Sequence, residues 1–331
     1  MRIIYFIYYL KNLDWDKFKI FQDFIKSETG IGTFKQWLLV FYNSIKYNIS
    51  ILEFYQFRFI EKSHSEKLSW AGTGHMYEYQ KVMNPSEKRK ILDDKRIFYK
   101  YYREYFVHHV FSLQELIENS ENIDDLYASH KLVFKVSDGK CGVSVNIIES
   151  SKINKNEVVA FMMNHGYDMV ETFIQQHHDL NMLSPSAVNT VRIFTQLNEK
   201  DEVEFLGCRQ RISIDSPVDN LAAGNIAAPI NLETGVIDGP GVYSDITKVP
   251  EKNHPITGIP IIGFQVPYWN ECKQLAINAA LKHTQNRSIG WDIVVTENGP
   301  GLIEGNHDWC KLVWQLPVNK GLKNLLKPNY V

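Results

Sequence analysis

The acids within 290–306, GWDIVVTENGPGLIEGN, are the side chains of this chain best spaced to do chemistry. Two short apolar runs flank Glu297-Asn298-Gly299-Pro300-Gly301, which predicts a β-hairpin with a five-residue loop. A symmetric loop sets Asp292 against Asn306 and Val294 against Glu304. Strand side chains alternate with period two, so Asp292, Glu304 and Asn306 then share one face. Two carboxylates and an amide oxygen are hard ligands suited to Mg²⁺ held against nucleotide phosphates. Acids this close repel one another unless a cation neutralises them. The plain alternative is a solvated sheet face with chance acids, over a core of Val295, Leu302 and Ile303.

Three further groups could serve the same chemistry. Lys135 sits in the apolar run LVFKV, where a buried ammonium needs a counter-charge that a phosphate could supply. The following Gly139, Lys140 and Gly142 let backbone N–H groups approach phosphate oxygens, although an ordinary hairpin with an edge lysine reads the same way. Glu171, Thr172, Phe173 and Ile174 end a strand that runs into a polar loop. Such a strand end can present backbone groups to an adenine edge, and an acid a few residues on can hold ribose hydroxyls. His177 and His178 are adjacent and would point apart, so they read as exposed loop residues. Arg192, Arg209 and Arg211 are permanently charged and bind carboxylate or phosphate in a fork. Arg209 and Arg211 share a strand face. Surface ion pairing with Glu202, Glu204 or Asp215 is the competing account of the arginines.

The elements that must position these groups follow from periodicity. Residues 1 to about 105 read as helical, with Trp15, Phe18, Phe21, Phe24 and Ile25, then Trp37, Leu38, Phe41, Ile45 and Ile49, at core-forming helical spacing. A basic aromatic face resting on a membrane surface or a partner is the alternative for this region. From about 106 strands dominate: 132–136, 142–148, 168–174, 190–197 and 202–213. A helix is expected over 155–165, opened by a capping box of Asn154 and Glu157. Residues 217–231 read as an Ala/Gly-rich functional loop and 238–268 as irregular and Pro-rich, before a helix at about 268–284.

The bulk properties set limits. The chain has 331 residues, 44% hydrophobic and 22% charged, which is globular and long enough for two or three packed units. A net charge of -2 gives no electrostatic case for nucleic acid. The four cysteines form no CxxC pair, which argues against structural zinc and for a reducing compartment. Cys141 reads as a small filler. The apolar start IIYFIYYL is too short to span a bilayer and lacks a cleavage site, so a cytoplasmic protein is expected.

Taken in order, a lysine strand, a Gly-rich hairpin, a Glu-x-Phe-Ile hinge, arginine strands and a terminal Asp…Glu-x-Asn resemble the ATP-grasp superfamily. More narrowly, the run SPSAVNTVR at 184–192, VDNLAAGN at 218–225 and IGWD at 289–292 look like the sugar-transfer-associated ATP-grasp proteins. The likeness covers roughly 90–316. It implies an α+β fold in which two subdomains grip ATP, here about 106–180 as the lid and about 181–316 as the larger unit. Residues 91–331 would form this ATP-grasp domain, and a helical region, 1–90, would replace the usual preceding α/β domain.

The resemblance also implies roles. Lys135 would contact the nucleotide phosphates, with Gly139, Lys140 and Gly142 closing over them. Glu171 to Ile174 would hold adenine and Asp179 the ribose. Asp292, Glu304 and Asn306 would carry one or two Mg²⁺ ions. Arg192 with Arg209 or Arg211 would stabilise the transferring phosphoryl group. Many relatives have proline after the strand lysine where this chain has Val136, so Lys131 and Lys100 stay open as phosphate contacts. The implied activity is carboxylate–amine ligation through an acylphosphate, joining an amino acid or amine to a sugar carboxylate of a capsule or O-antigen precursor. Asn220, Gly224 and Asn225 would lie in the acceptor loop, and His307 would border the second substrate. A phosphotransferase and a non-catalytic nucleotide-binding component are the competing readings.

Overall fold

The computed structural model describes residues 2–119, 121–137 and 145–328. Cys141 and the glycine-loop residues Gly139, Lys140 and Gly142 lie outside them.

The chain opens with helices α1 (Arg2–Lys11), α2 (Trp15–Thr29), α3 (Thr33–Tyr47), α4 (Ile51–Gln56), α5 (His64–Leu68) and α6 (Thr73–Met83). Caps fix their ends. Asp14 accepts from the Lys17 N–H, and Ser50 and Ser63 form capping boxes with Glu53 and Glu66. In α2 Trp15 is exposed, but most of the expected stripe is inside, with Phe18, Phe21 and Ile25 buried and Phe24 half-buried. In α3 it is not. That helix buries Val40 and Tyr47 with the polar Gln36, Asn43 and Ser44, while Leu38 and Phe41 of the predicted stripe face out. The helix is rotated because Gln36 donates inward to the Gln22 and Ile31 carbonyls, tying it to α2.

This helical module is bonded into the rest of the chain. The carboxylate of Glu53, 1% exposed, meets the Lys311 ammonium at 3.0 Å. Gln56 donates to the Ser244 carbonyl, and the Gln315 amide pairs with both backbone groups of Ala71. Helices α7 (Lys90–Asp93) and α8 (Lys95–Tyr102) follow, and Ile91, Phe98 and Tyr102 join the core of the larger sheet.

The first sheet is antiparallel, in order β1-β4-β2-β3, from β1 (Val110–Ser112), β2 (Lys131–Lys135), β3 (Asn146–Glu149) and β4 (Met169–Thr172). Helices α9 (Leu113–Glu118), α10 (Glu121–Tyr127) and α11 (Val158–His165) cover one face through Leu116, Leu126, Phe134, Met162 and Val170. The expected capping box at Asn154 does not form. The Asn154 side chain bonds the Glu157 carboxylate instead, and a 3₁₀ turn precedes α11.

The second sheet runs β7-β6-β5-β8-β9, antiparallel, from β5 (Val191–Leu197), β6 (Val203–Ile212), β7 (Ile226–Ile230), β8 (Ser288–Thr296) and β9 (Gly299–Asn306). Helix α13 (Trp269–Lys282) lays Cys272, Ala276 and Ala279 against one face, and small side chains allow that close approach. The other face packs Phe194 and Leu206 against Trp309 and against Trp314 of α14 (Lys311–Gln315). Two segments read as loops contain structure. Residues 226–230 of the Ala/Gly-rich run form edge strand β7, and the polar stretch after 174 folds into α12 (His178–Leu183). Among the described residues no helix is long and apolar enough to cross a membrane.

Candidate nucleotide and metal site

The acid hairpin is tighter than its loop composition suggests. Thr296 pairs with Gly299 around a two-residue turn, and the Thr296 hydroxyl donates to the Gly299 carbonyl at 2.9 Å. A register shift after Asp292 then sets Asp292 opposite Glu304 and Gly290 opposite Asn306. The expected Asp292–Asn306 pairing is therefore wrong by two residues, and Val294 faces Gly301, three residues from the expected Glu304. The shared face survives, because a shift of two preserves the pleat.

One row across the sheet runs Arg209, Arg192, Asp292, Glu304. Asp292 is buried. It accepts a fork from Arg192, through Nε and through Nη2 at 2.7 Å, and a third bond from Arg211 Nη1 at 3.0 Å. Burial opposes its charge, but Arg192 and then Arg211 outweigh that and hold the carboxyl well below its usual range. Glu304 has no such partner. Burial and then the Asp292 charge push its carboxyl up. The Asn306 amide donates to Glu304 Oε1 at 3.2 Å. Gly290 is required beside them: a Cβ there would lie 2.7 Å from Cβ of Trp309 and 3.3 Å from Cδ of Arg192.

The arginines do not act as a set. Arg211 is clamped by Asp219 at 2.7 Å, and Asp219 in turn accepts from the Thr190 N–H and hydroxyl. Asp219, then Asp292 and Glu304, keep Arg211 charged against its burial. Arg209 turns to the Trp314 and Cys208 carbonyls. Burial pushes it down to about 10. Arg192 and Arg211 are thus joined to the acids, and Arg209 is a brace for α14. Sequence reasoning placed Asp219 inside a motif but gave it no task; its signal was the acid opening VDNLAAGN.

On the small sheet Lys135 Nζ bonds Glu171 Oε2 at 2.5 Å, and His108 Nε2 stands 3.6 Å from the same oxygen. The counter-charge of the strand lysine is therefore a protein acid. Burial opposes ionisation of Glu171, yet Lys135 and His108 hold its carboxyl down to about 2. His108 was not anticipated; only the fold brings it here. Beyond Glu171, Thr172 bonds the backbone of His109, and Lys131 lies 5.2 Å from the Phe173 ring centroid. Ile174 is half-buried and Asp179 exposed. His177 is half-buried rather than exposed. Its N–H donates to the Val295 carbonyl, and its Nδ1 accepts from the Asp179 N–H, so 177–179 is fastened to the end of β8.

In the loop read as the acceptor's, Asn220 caps a 3₁₀ turn, and Gly224 closes it at φ +89°. Asn225 is fully buried. Its Oδ1 accepts from the Ile214 N–H and its Nδ2 donates to the Val218 and Asn220 carbonyls, so its hydrogen bonds shape the loop. His307 Nε2 pairs with Asp93 at 2.8 Å. Asp93 borders a cavity of about 480 Å³ between α7–α8 and the end of β2, lined also by Arg96, Ser137 and Asp168.

The oxygen set of Glu304 and Asn306, with Asp292 behind, fits a hard divalent cation: a cation there would offset the burial and the Asp292 charge that raise Glu304. Among the described residues no three His, Cys, Asp or Glu cluster as ligands, so the amide oxygen must complete such a site.

The chain belongs to the sugar-transfer associated ATP-grasp family, whose profile matches residues 75–329. No curated protein matches it. Among solved structures it is similar to biotin carboxylase from Campylobacter jejuni, a complex with an ATP analogue (12% identity, 72% of this chain, 48% of that one, TM-score 0.43). It is also similar to the biotin carboxylase domain of 2-oxoglutarate carboxylase from Hydrogenobacter thermophilus (14%, 70% and 46%, TM-score 0.39), a complex with MgADP and bicarbonate. A third is D-alanine–D-alanine ligase from Bacillus anthracis (14%, 73% and 66%, TM-score 0.38). This chain thus spans about half the length of the two carboxylases. Likenesses this remote carry no argument about its activity.

Proposed function

We propose that the protein is an ATP- and Mg²⁺-dependent ligase that joins an amino acid or amine to a sugar carboxylate, in the assembly of a capsule, O-antigen or exopolysaccharide. The observation that carries this is the row Arg192–Asp292–Glu304, with Arg211 and Asn306, on one sheet face. Mg²⁺ would supply charge neutralisation between the nucleotide phosphates and these oxygens. Glu304 and Asn306 would hold it. Asp292 keeps Arg192 and Arg211 fixed, so their guanidinium charge meets the transferring phosphoryl group without reorganising.

The γ-phosphoryl group of ATP passes to a carboxylate oxygen, releasing ADP. The amine then attacks the acyl carbon, losing a proton as phosphate departs. Lys135 would exchange Glu171 for a phosphate oxygen, and the strand end 171–174 would receive adenine with Asp179 toward the ribose. Gly139, Lys140 and Gly142 belong to the same proposal. Such chemistry needs positioning and charge more than a protein nucleophile. Asn220 and Gly224 shape the acceptor loop, and His307 with Asp93 borders the second substrate.

The test is ADP release with Mg-ATP across a matrix of amino acids and uronic-acid acceptors, with mass spectrometry of products. An acceptor gaining an amino acid less water, with one ADP per bond, is the expected result. An acceptor gaining phosphate would make it a phosphotransferase, and absence of nucleotide binding would overturn the reading.

A further inference from the structure

The outward face of the helical module is apolar where a solvated helix would be polar. Ile3, Ile4 and Ile7 of α1 and Phe34, Leu38 and Phe41 of α3 are 47–75% exposed. The two helices pack together: the Phe6 and Phe41 rings meet at 5.0 Å, and Arg2 donates to the Ile45 and Lys46 carbonyls. Their apolar stripes therefore form one surface. Burial of Gln36, Asn43 and Ser44 on the opposite side shows that α3 keeps this stripe outside at a cost. The Gln36 Oε1, Asn43 Oδ1 and Ser44 Oγ atoms are buried without a hydrogen-bond partner. An exposed apolar patch of this kind marks a docking surface.

Charge identifies the occupant. The charged residues of α1 are Arg2 and Lys11, and those of α3 are Lys35 and Lys46; neither helix carries an acid. The adjoining α2 instead interleaves Asp16, Asp23 and Glu28 with its lysines. The two helices that bear the patch thus carry basic charge alone, unlike their neighbour α2. A second copy seated on this face would bring like charges together, whereas an anionic bilayer would meet them with opposite charge. At 10 and 15 residues the helices are too short to span a membrane but long enough to lie in its interface.

We propose that α1 and α3 dock the protein on an anionic phospholipid surface. This is independent of the ligase reading.

The test is flotation of the full chain with phosphatidylcholine vesicles, with and without about one-third phosphatidylglycerol. The protein should float with the anionic vesicles only, and release as salt rises. Replacing exposed side chains together, Ile4→Ser, Ile7→Ser and Leu38→Ser, should weaken binding at least about tenfold. Lys35→Gln and Lys46→Gln should each weaken it about fivefold. Unchanged circular dichroism would show that the variants fold. Flotation failing with anionic vesicles, or equal with neutral ones, would overturn the proposal. So would a dimer in light scattering that the serine variant dissolves, if anionic vesicles bind both forms equally.

Discussion

Lys135 and Glu171, on neighbouring antiparallel strands, close their charges at 2.5 Å on one face of the small sheet. The lysine proposed for phosphate is thus already neutralised, and a nucleotide must take it from an acid. Lys135→Met should weaken ATP binding at least about tenfold. It should also cost about 3 kcal/mol of stability, because Glu171 stays buried without its partner. Adding Glu171→Gln should restore most of the stability and none of the binding. Lys131→Met, which removes only a cation over the Phe173 ring, should change affinity about threefold or less. Calorimetric titration with Mg-ATP and urea unfolding measure both effects.

The same pair sets an acid limit. The Glu171 carboxyl lies at about 2 when folded, against an ordinary value of 4.5. Between these values the unfolded chain takes up the proton first. Its stabilisation, at most about 3 kcal/mol, is complete above pH ~4.5 and fades as pH falls through ~2. Unfolding midpoints measured from pH 6 down to ~2.5 should fall less steeply in the Lys135→Met, Glu171→Gln double variant.

Glu304→Gln should lower ATP turnover by about a hundredfold or more and leave the fold intact, because it deletes a buried carboxylate that Arg192 and Arg211 offset less than burial and Asp292 raise it. Full turnover with a normal circular dichroism spectrum would sink the metal assignment.

Asp292→Asn should behave differently although it is the residue opposite. It would leave Arg192 buried without its ion pair, Arg211 paired with Asp219, and Glu304 as the other carboxylate acting on both. The expected loss is about 3–5 kcal/mol, read by urea unfolding. A stable but inactive Asp292→Asn protein would place Asp292 in the metal set rather than in the frame.

Much of this was legible in the sequence. Period-two alternation, with the two strands paired across a loop, put Asp292, Glu304 and Asn306 on one face. The register was not legible, because Thr296 closes a two-residue turn through its hydroxyl, a choice that five turn-forming residues in a row conceal. Burial was equally hidden. Asn225 reads as an acceptor-loop amide, yet its hydrogen bonds go to the loop itself. Arg209 and Arg211 read alike two residues apart, and only the neighbours brought in by α14 and by Asp219 separate them. In α3 the apolar spacing gave the helix correctly and its orientation wrongly, since the polar contacts of Gln36 decide which side faces in.

The Glu53–Lys311 contact and the Gln315–Ala71 amide pair tie segments that lie far apart in sequence, one of them ahead of residue 75, where the family match begins. The boundary of shared ancestry is therefore not a boundary of physical independence. A chain shortened to residues 75–329 would lose Trp70 and Ala71, uncover the surface they pack against and strand the Gln315 amide. The stretch that the family match covers and the stretch that these contacts hold together are different lengths of polypeptide, the second reaching back at least to Glu53.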